Sequence, residues 1–108
     1  MIIYLYTNKC ASMIVSFGDK ITEAIFHGDK DKYSKKWSES IISSAVRKLD
    51  LVNSASILAD LLSPPGNKLE KLKGTMSDFY SIRVNNQFRI IFIWKDGHAE
   101  NVKLIDYH

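Results

Sequence analysis

A single cysteine, Cys10, excludes an internal disulfide framework and fits a reducing cytoplasm. Two prolines and five glycines in 108 residues are too few for a low-complexity or linker-rich chain. No apolar run approaches the roughly 18 residues of a membrane span. The start of the chain lacks both the basic residues and the length of a signal peptide. These absences lead us to expect a cytoplasmic protein with no membrane partner. The three histidines, His27, His98 and His108, are scattered, and with one cysteine they make no metal-ligand spacing. There is no Gly-rich phosphate loop and no nucleophile elbow, so no metal or cofactor is expected. What remains is ordinary: 45% hydrophobic residues, enough for one core without staples, and a net charge of +3 that points weakly to a polyanionic partner.

The pattern changes period midway along the chain. Met13 offers a second plausible start, so residues 1–12 read as an extension or an alternative beginning. Residues 14–17 suit a short strand, and Asp19 or Thr22 suits the cap of a brief helix carrying Ile21, Ala24, Ile25 and Phe26. Residues 28–32 read as a charged loop. Trp37, Ile41, Ala45 and Leu49 recur every four residues, widened by Ile42 and Val46, and predict the main helix with Ser34 as its N-cap. Residues 56–62 suggest a shorter helix, ended by Pro64-Pro65-Gly66. From Leu69 the period drops to about two. Strands are expected over 69–72, 79–84, 88–94 and 99–107, with turns at Asn85-Asn86-Gln87 and Asp96-Gly97. The predicted class is α+β: a small antiparallel meander packed against N-terminal helices.

Register then places side chains on faces. With a three-residue loop at Asn85-Asn86-Gln87, Val84 faces Phe88, Ile82 faces Ile90 and Tyr80 faces Phe92. This gathers the apolar side chains, whereas a one-residue slip scatters them. The same register sets Arg83 directly opposite Arg89 on the other face, beside Ser81 and Ile91. Opposed like charges cost a sheet pair roughly 0.2–1 kcal/mol, which is tolerated for an anion or an acidic side chain between them. An odd loop that includes His98 carries Tyr107 to the arginine face; a two-residue Asp96-Gly97 loop is the alternative. Asp106 and His108 then flank the arginines at a chain end where disorder is the default.

Four segments carry a resemblance: Leu69-Glu70-Lys71-Leu72-Lys73-Gly74, Tyr80-Ser81-Ile82-Arg83-Val84-Asn85, Gln87-Phe88-Arg89-Ile90 and Asp106-Tyr107-His108. In this order they resemble the HigB, or proteic killer, toxins of the RelE/ParE superfamily, over residues 13–108. The resemblance implies a RelE-like fold and a metal-independent endoribonuclease that cuts messenger RNA on the ribosome. It also implies a helix-turn-helix antitoxin of the HigA type, with DNA bound only indirectly through the antitoxin complex. Carried over by position, the catalytic set is Glu70, Lys73, Arg83, Arg89, Asp106 and His108, with Tyr107, Lys73 and Arg83 contacting RNA. Some members have a histidine where this chain has Glu70, so base and acid duties fall on Glu70, His108 or the substrate itself.

The chemistry suits these residue types. Attack by a 2′-hydroxyl on its neighbouring phosphate needs a proton acceptor, cations for the phosphorane and a donor for the leaving 5′-oxygen. Arg83, Arg89 and Lys73 fit the electrostatic role, and arginine adds a bidentate fork. His108, with an ordinary pKa of about 6.5, fits the acid, and its own α-carboxylate favours the imidazolium. Asp106 can orient His108 or hold an arginine, and Tyr107 can stack on a base or pack at the sheet edge. The basic cluster Lys30, Lys32, Lys35 and Lys36, interrupted by Asp29 and Asp31, reads as a solvated face or a contact to ribosomal RNA phosphates. The rival function is a non-enzymatic poison of a protein such as DNA gyrase, as in the ParE branch, since fold alone does not separate the two. A degenerate member that keeps only antitoxin binding is the third reading.

Overall fold

The computed structural model describes residues 14–33 and 36–107. The readings placed on residues 1–12, Met13, Ser34, Lys35 and His108 lie outside them. Among the described residues three helices precede the sheet: α1 (Lys20–His27), α2 (Lys30–Tyr33) and α3 (Glu39–Ser54). Four strands follow: β1 (Glu70–Lys71), β2 (Tyr80–Arg83), β3 (Phe88–Lys95) and β4 (His98–Asp106), in the order β1-β2-β3-β4 with every pair antiparallel. The expected α+β meander is what forms.

Local chemistry accounts for the helix ends. Asp19 caps α1, its carboxylate accepting from the Thr22 backbone N–H at 2.7 Å. Gly28 ends it in the left-handed conformation (φ 74°), where its N–H reaches the carbonyls of Ala24 and Ile25. The charged stretch expected to be loop contains the single turn α2. The cap of α3 is Ser38, whose Oγ accepts from Ile41 N. The helix therefore starts one turn later than the periodicity implied, and its buried line is Ile42, Ala45, Leu49 and Val52. Ile41 and Val46 lie half-buried on its flank. Trp37 precedes the helix and packs edge-on against Phe88, with ring centroids 4.7 Å apart. The α3 line closes on Ile82, Ile90, Phe92, Val102 and Leu104 from the sheet and Ile25 from α1. Each large side chain so buried contributes about 1.5–3 kcal/mol relative to exposure.

The second short helix is a 3-10 turn, Leu58–Leu62, which buries only Leu61 and leaves Leu62 62% exposed. The following Pro65–Asn67 turn is tied down by Asn67, which is fully buried. Its Nδ2 donates to the carbonyls of Leu61 (3.1 Å) and Ser63 (3.2 Å), and its Oδ1 accepts from Lys48 Nζ at 2.5 Å. Burial lowers the Lys48 pKa, with the neighbouring Arg47 charge adding to the effect. Asn67→Ala leaves these carbonyls without their donor, which costs about 2–3 kcal/mol. A lowered urea midpoint with an unchanged m-value is the expected measurement.

Both hairpin readings are resolved, one of them in an unexpected way. The β2–β3 register is the expected one: Tyr80↔Phe92, Ile82↔Ile90 and Arg83↔Arg89. In β3–β4 the loop has two residues, Lys95 pairing with His98, where the odd loop was expected. A bulge then shifts the register, so that Ile90 faces Leu104 and Arg89 faces Ile105. The extra residue is accommodated near Asn101, which adopts φ 52°. Ala99 and Val102 thus both point into the core although their parities differ. Residues 14–17 touch the outer edge of β4 through two parallel bridges, Ile14↔Ala99 and Phe17↔Val102, in place of a full strand. Further along that edge Thr22, turned inward from α1, accepts from Leu104 N at 2.9 Å. The edge is therefore covered.

Candidate active site

The opposed arginines are neighbours in backbone only. Arg83 turns toward the β2–β3 hairpin, where Nε donates to the Asn85 carbonyl (3.2 Å) and Nη2 to Asn86 Oδ1. Arg89 turns the other way along the sheet face. Its Nη1 donates to Ser81 Oγ at 2.8 Å and to the Lys68 carbonyl at 3.4 Å, and lies 3.9 Å from Glu70 Oε1. Its guanidinium stands 5.2 Å from the centroid of the Tyr107 ring. Like-charge repulsion is relieved by this divergence and by Glu70, whose position opposite Ser81 in the β1–β2 register brings it to the same face. The Arg89 side chain keeps 14% of its surface exposed, against 46% for Glu70. Arg89 is thus a cation fixed by protein partners on several sides, with part of its surface open.

Beside it is a cleft of about 460 Å³ lined by Glu70, Lys71, Leu72, Lys73, Met76 and Tyr107, a size typical of small-ligand sites. Lys73 sits at the head of the 3-10 turn Gly74–Met76, exposed and without an ion pair among the described residues. Tyr107 forms the opposite wall, 40% exposed. Leu72 and Met76 supply apolar surface between charged neighbours, an environment suited to a ligand with an anionic part and a flat apolar part.

Asp106 pairs with Phe88, which puts it on the opposite side of β4 from Ile105 and Tyr107. Its Oδ2 accepts from Gln87 Nε2 at 3.1 Å, and Tyr107 N donates to the Gln87 carbonyl at 2.6 Å. Of the residues proposed from sequence, the structure therefore gathers Glu70, Lys73, Arg89 and Tyr107 around one cleft. It sets Arg83 and Asp106 at the adjoining hairpin turn, and His108 is outside the described residues.

Sequence reasoning missed the supports. Ser81 is fully buried and holds Arg89; a small polar residue among strand hydrophobics, on the arginine face, was the available signal. The Lys68 carbonyl, presented by a backbone at φ 46°, left no signal of its own. Gln87 read as a turn residue and as the start of one resemblance segment, without a role of its own. Elsewhere, His27 is exposed at the end of α1 against Phe17 and Phe26. His98 lies at the far end of the β3–β4 ladder from Arg89, its Nδ1 buried and without a hydrogen-bond partner among the described residues. In the lysine cluster, Lys32 pairs with Asp29 and Lys36 covers Trp37. Among the described residues no three His, Cys, Asp or Glu side chains converge on a metal position, and no helix is long and apolar enough to cross a membrane.

Residues 15–108 match the family model of the RelE-like toxin of type II toxin–antitoxin system HigB. The chain is 40% identical over 92 residues to Toxin HigB-1 of Vibrio cholerae serotype O1, covering 85% of this chain and 95% of that relative. It is 37% identical over 79 residues to an uncharacterized protein of Haemophilus influenzae, covering 73% and 77%. Among solved structures, the YoeB dimer of Staphylococcus aureus superposes with a TM-score of 0.59 at 21% identity, over 91% of this chain and 99% of that one. The YoeB-YefM complex of the same organism gives 0.55 at 19%, over 88% and 97%. These two likenesses establish the fold.

Proposed function

Since this chain belongs to the RelE-like HigB toxins of type II toxin–antitoxin systems, we propose that it arrests growth as a ribosome-dependent, metal-independent endoribonuclease acting on messenger RNA. One observation carries the reading: Arg89 is locked by Ser81, Lys68 and Glu70 beneath Tyr107 and next to an open cleft. A cation held in place before the reaction needs no reorganisation when phosphorane charge develops, and such preorganisation is often the largest catalytic contribution.

The steps then follow from the residues. Messenger RNA lies along the cleft with one base against the exposed side of Tyr107. Arg89 and Lys73 receive the scissile phosphate, and Arg83 joins them from the hairpin. The 2′-oxygen bonds to phosphorus as its proton passes to Glu70 or to a group on the substrate. The bond to the 5′-oxygen breaks, and His108 protonates that leaving oxygen. The products are a 2′,3′-cyclic phosphate and a free 5′-hydroxyl. Asp106 holds the terminal segment in place for this transfer. The partner that restrains the toxin is a HigA-like helix-turn-helix antitoxin, in keeping with the YoeB-YefM pairing among its structural neighbours; DNA is contacted only through that complex. The compartment is the cytoplasm, where ribosomes and messages are.

Mapping messenger-RNA ends after induction tests this. Codon-associated 5′ ends that appear within translated regions are the expected result. Intact messages accompanied by double-strand DNA breaks would replace the nuclease with a gyrase poison.

A further inference from the structure

The segment between β1 and β2 reads as a plain connection, yet its backbone closes on itself. Leu72 N donates to the Phe79 carbonyl at 2.9 Å, and Phe79 N donates to the Met76 carbonyl at 2.9 Å. Inside that closure Met76 N reaches the Lys73 carbonyl (3.3 Å) and Ser77 N the Gly74 carbonyl (3.2 Å). Gly74 makes the turn at φ 68°, a conformation that a side chain would strain. The turn thus brings Lys73 and Met76 to the cleft together. Of the side chains lining that cleft, Glu70, Lys71 and Lys73 are charged, and Leu72 is buried. Apart from the lysine stems, its accessible apolar surface comes from half-buried Met76 and from the exposed Tyr107 ring. Among the described residues, Met76 belongs neither to the core nor to the partly buried side chains packed against it. Packing therefore does not account for a methionine here.

A base that leaves its stack to enter the cleft loses contacts on both of its faces. Tyr107 replaces one of them, with the side of its ring not taken by Arg89. We propose that Met76 supplies the second contact, its thioether seating the opposite face of that base. This rests on the nuclease reading and adds a substrate-binding residue which that reading does not use. The residue type suits the task. Methionine is unbranched and polarizable, and its sulfur makes favourable contacts with aromatic rings. It carries no strong donor or acceptor, so it grips a base by its face without reading its edge.

The test uses the full chain on ribosomes programmed with one message, intact or with an abasic nucleotide at each codon position in turn. Met76→Ala should lower kcat/KM on the intact message about two- to tenfold, the scale of a sulfur–aromatic contact. Met76→Leu restores an apolar face and should recover most of that loss. Met76→Gln keeps the length but brings an amide that must be desolvated, so it should fall below Met76→Leu. The abasic series is decisive. At one position the difference between wild type and Met76→Ala should disappear, because the face that Met76 contacts is gone. An effect on the fold of the turn would persist on every message. If the alanine variant melts early, the leucine and glutamine variants carry the same comparison. Wild-type rates in both Met76→Ala and Met76→Gln, or a loss that persists at every abasic position, would overturn the role of Met76 alone. A wild-type chain that cuts no message on the ribosome would overturn the nuclease reading, and this proposal with it.

Discussion

Arg89→Ala is expected to lower cleavage on programmed ribosomes by about 10²–10³-fold, the typical loss when one preorganised electrostatic group is removed from a transition state. Ser81 Oγ, the Lys68 carbonyl and Glu70 each engage Nη1, and Tyr107 covers the guanidinium face. Among the described residues no other cation near the cleft is held by so many groups: Lys71 and Lys73 are exposed, and Arg83 is committed to the hairpin turn. Arg89→Lys discriminates charge from geometry. A lysine keeps the charge but is a single-point donor, so it cannot satisfy Ser81 and Lys68 and still present a fork to phosphate. It should recover only a minor part of the activity. Growth arrest should vanish with Arg89→Ala while antitoxin binding persists. Full toxicity from that variant would move the site elsewhere.

The register that exposes Arg89 was legible in the sequence for a packing reason. Val84, Ile82 and Tyr80 on one strand and Phe88, Ile90 and Phe92 on the next fit one face in a single alignment, and a slip would bury both arginines. Backbone pairing does not determine χ angles, however. Arg83 and Arg89 are partners at Cα, yet they part because each finds its acceptors in opposite directions. The second hairpin was harder. Its turn obeys the Asp96-Gly97 signal for a two-residue loop, while Val102 and Leu104 obey the odd alignment that the core requires. A bulge near Asn101 satisfies both, and asparagine tolerates the φ of 52° there better than most residues. The conflict between turn and core parity was itself the signature of that bulge.

What the sequence concealed is the scaffold beneath the site. Asn67 supports the Lys68 carbonyl only because Leu61, Ser63 and Lys48 converge on its side chain from other segments. Such convergence has no period and no spacing. The start of α3 shows the same limit at shorter range. Trp37 extended the helical stripe by one turn, but its partner is Phe88 on the sheet, and Ser38 caps the helix behind it.

Extending the chain past His108 should be nearly as damaging as removing that residue, with a loss of about 10²–10⁴-fold, the range set by general acid catalysis. The expectation comes from how the end is held. Tyr107 N is bonded to the Gln87 carbonyl and the Tyr107 ring packs on Arg89, so the strand is guided up to the residue before the last. Added residues would begin one position past His108 and two past Tyr107, which itself lines the cleft proposed to take the message. The same tag placed before Met1 serves as the control, because the residues gathered around the cleft come from the other half of the chain. Undiminished cleavage by the C-terminally tagged protein would remove His108 from the reaction and leave Glu70 and the substrate to move both protons.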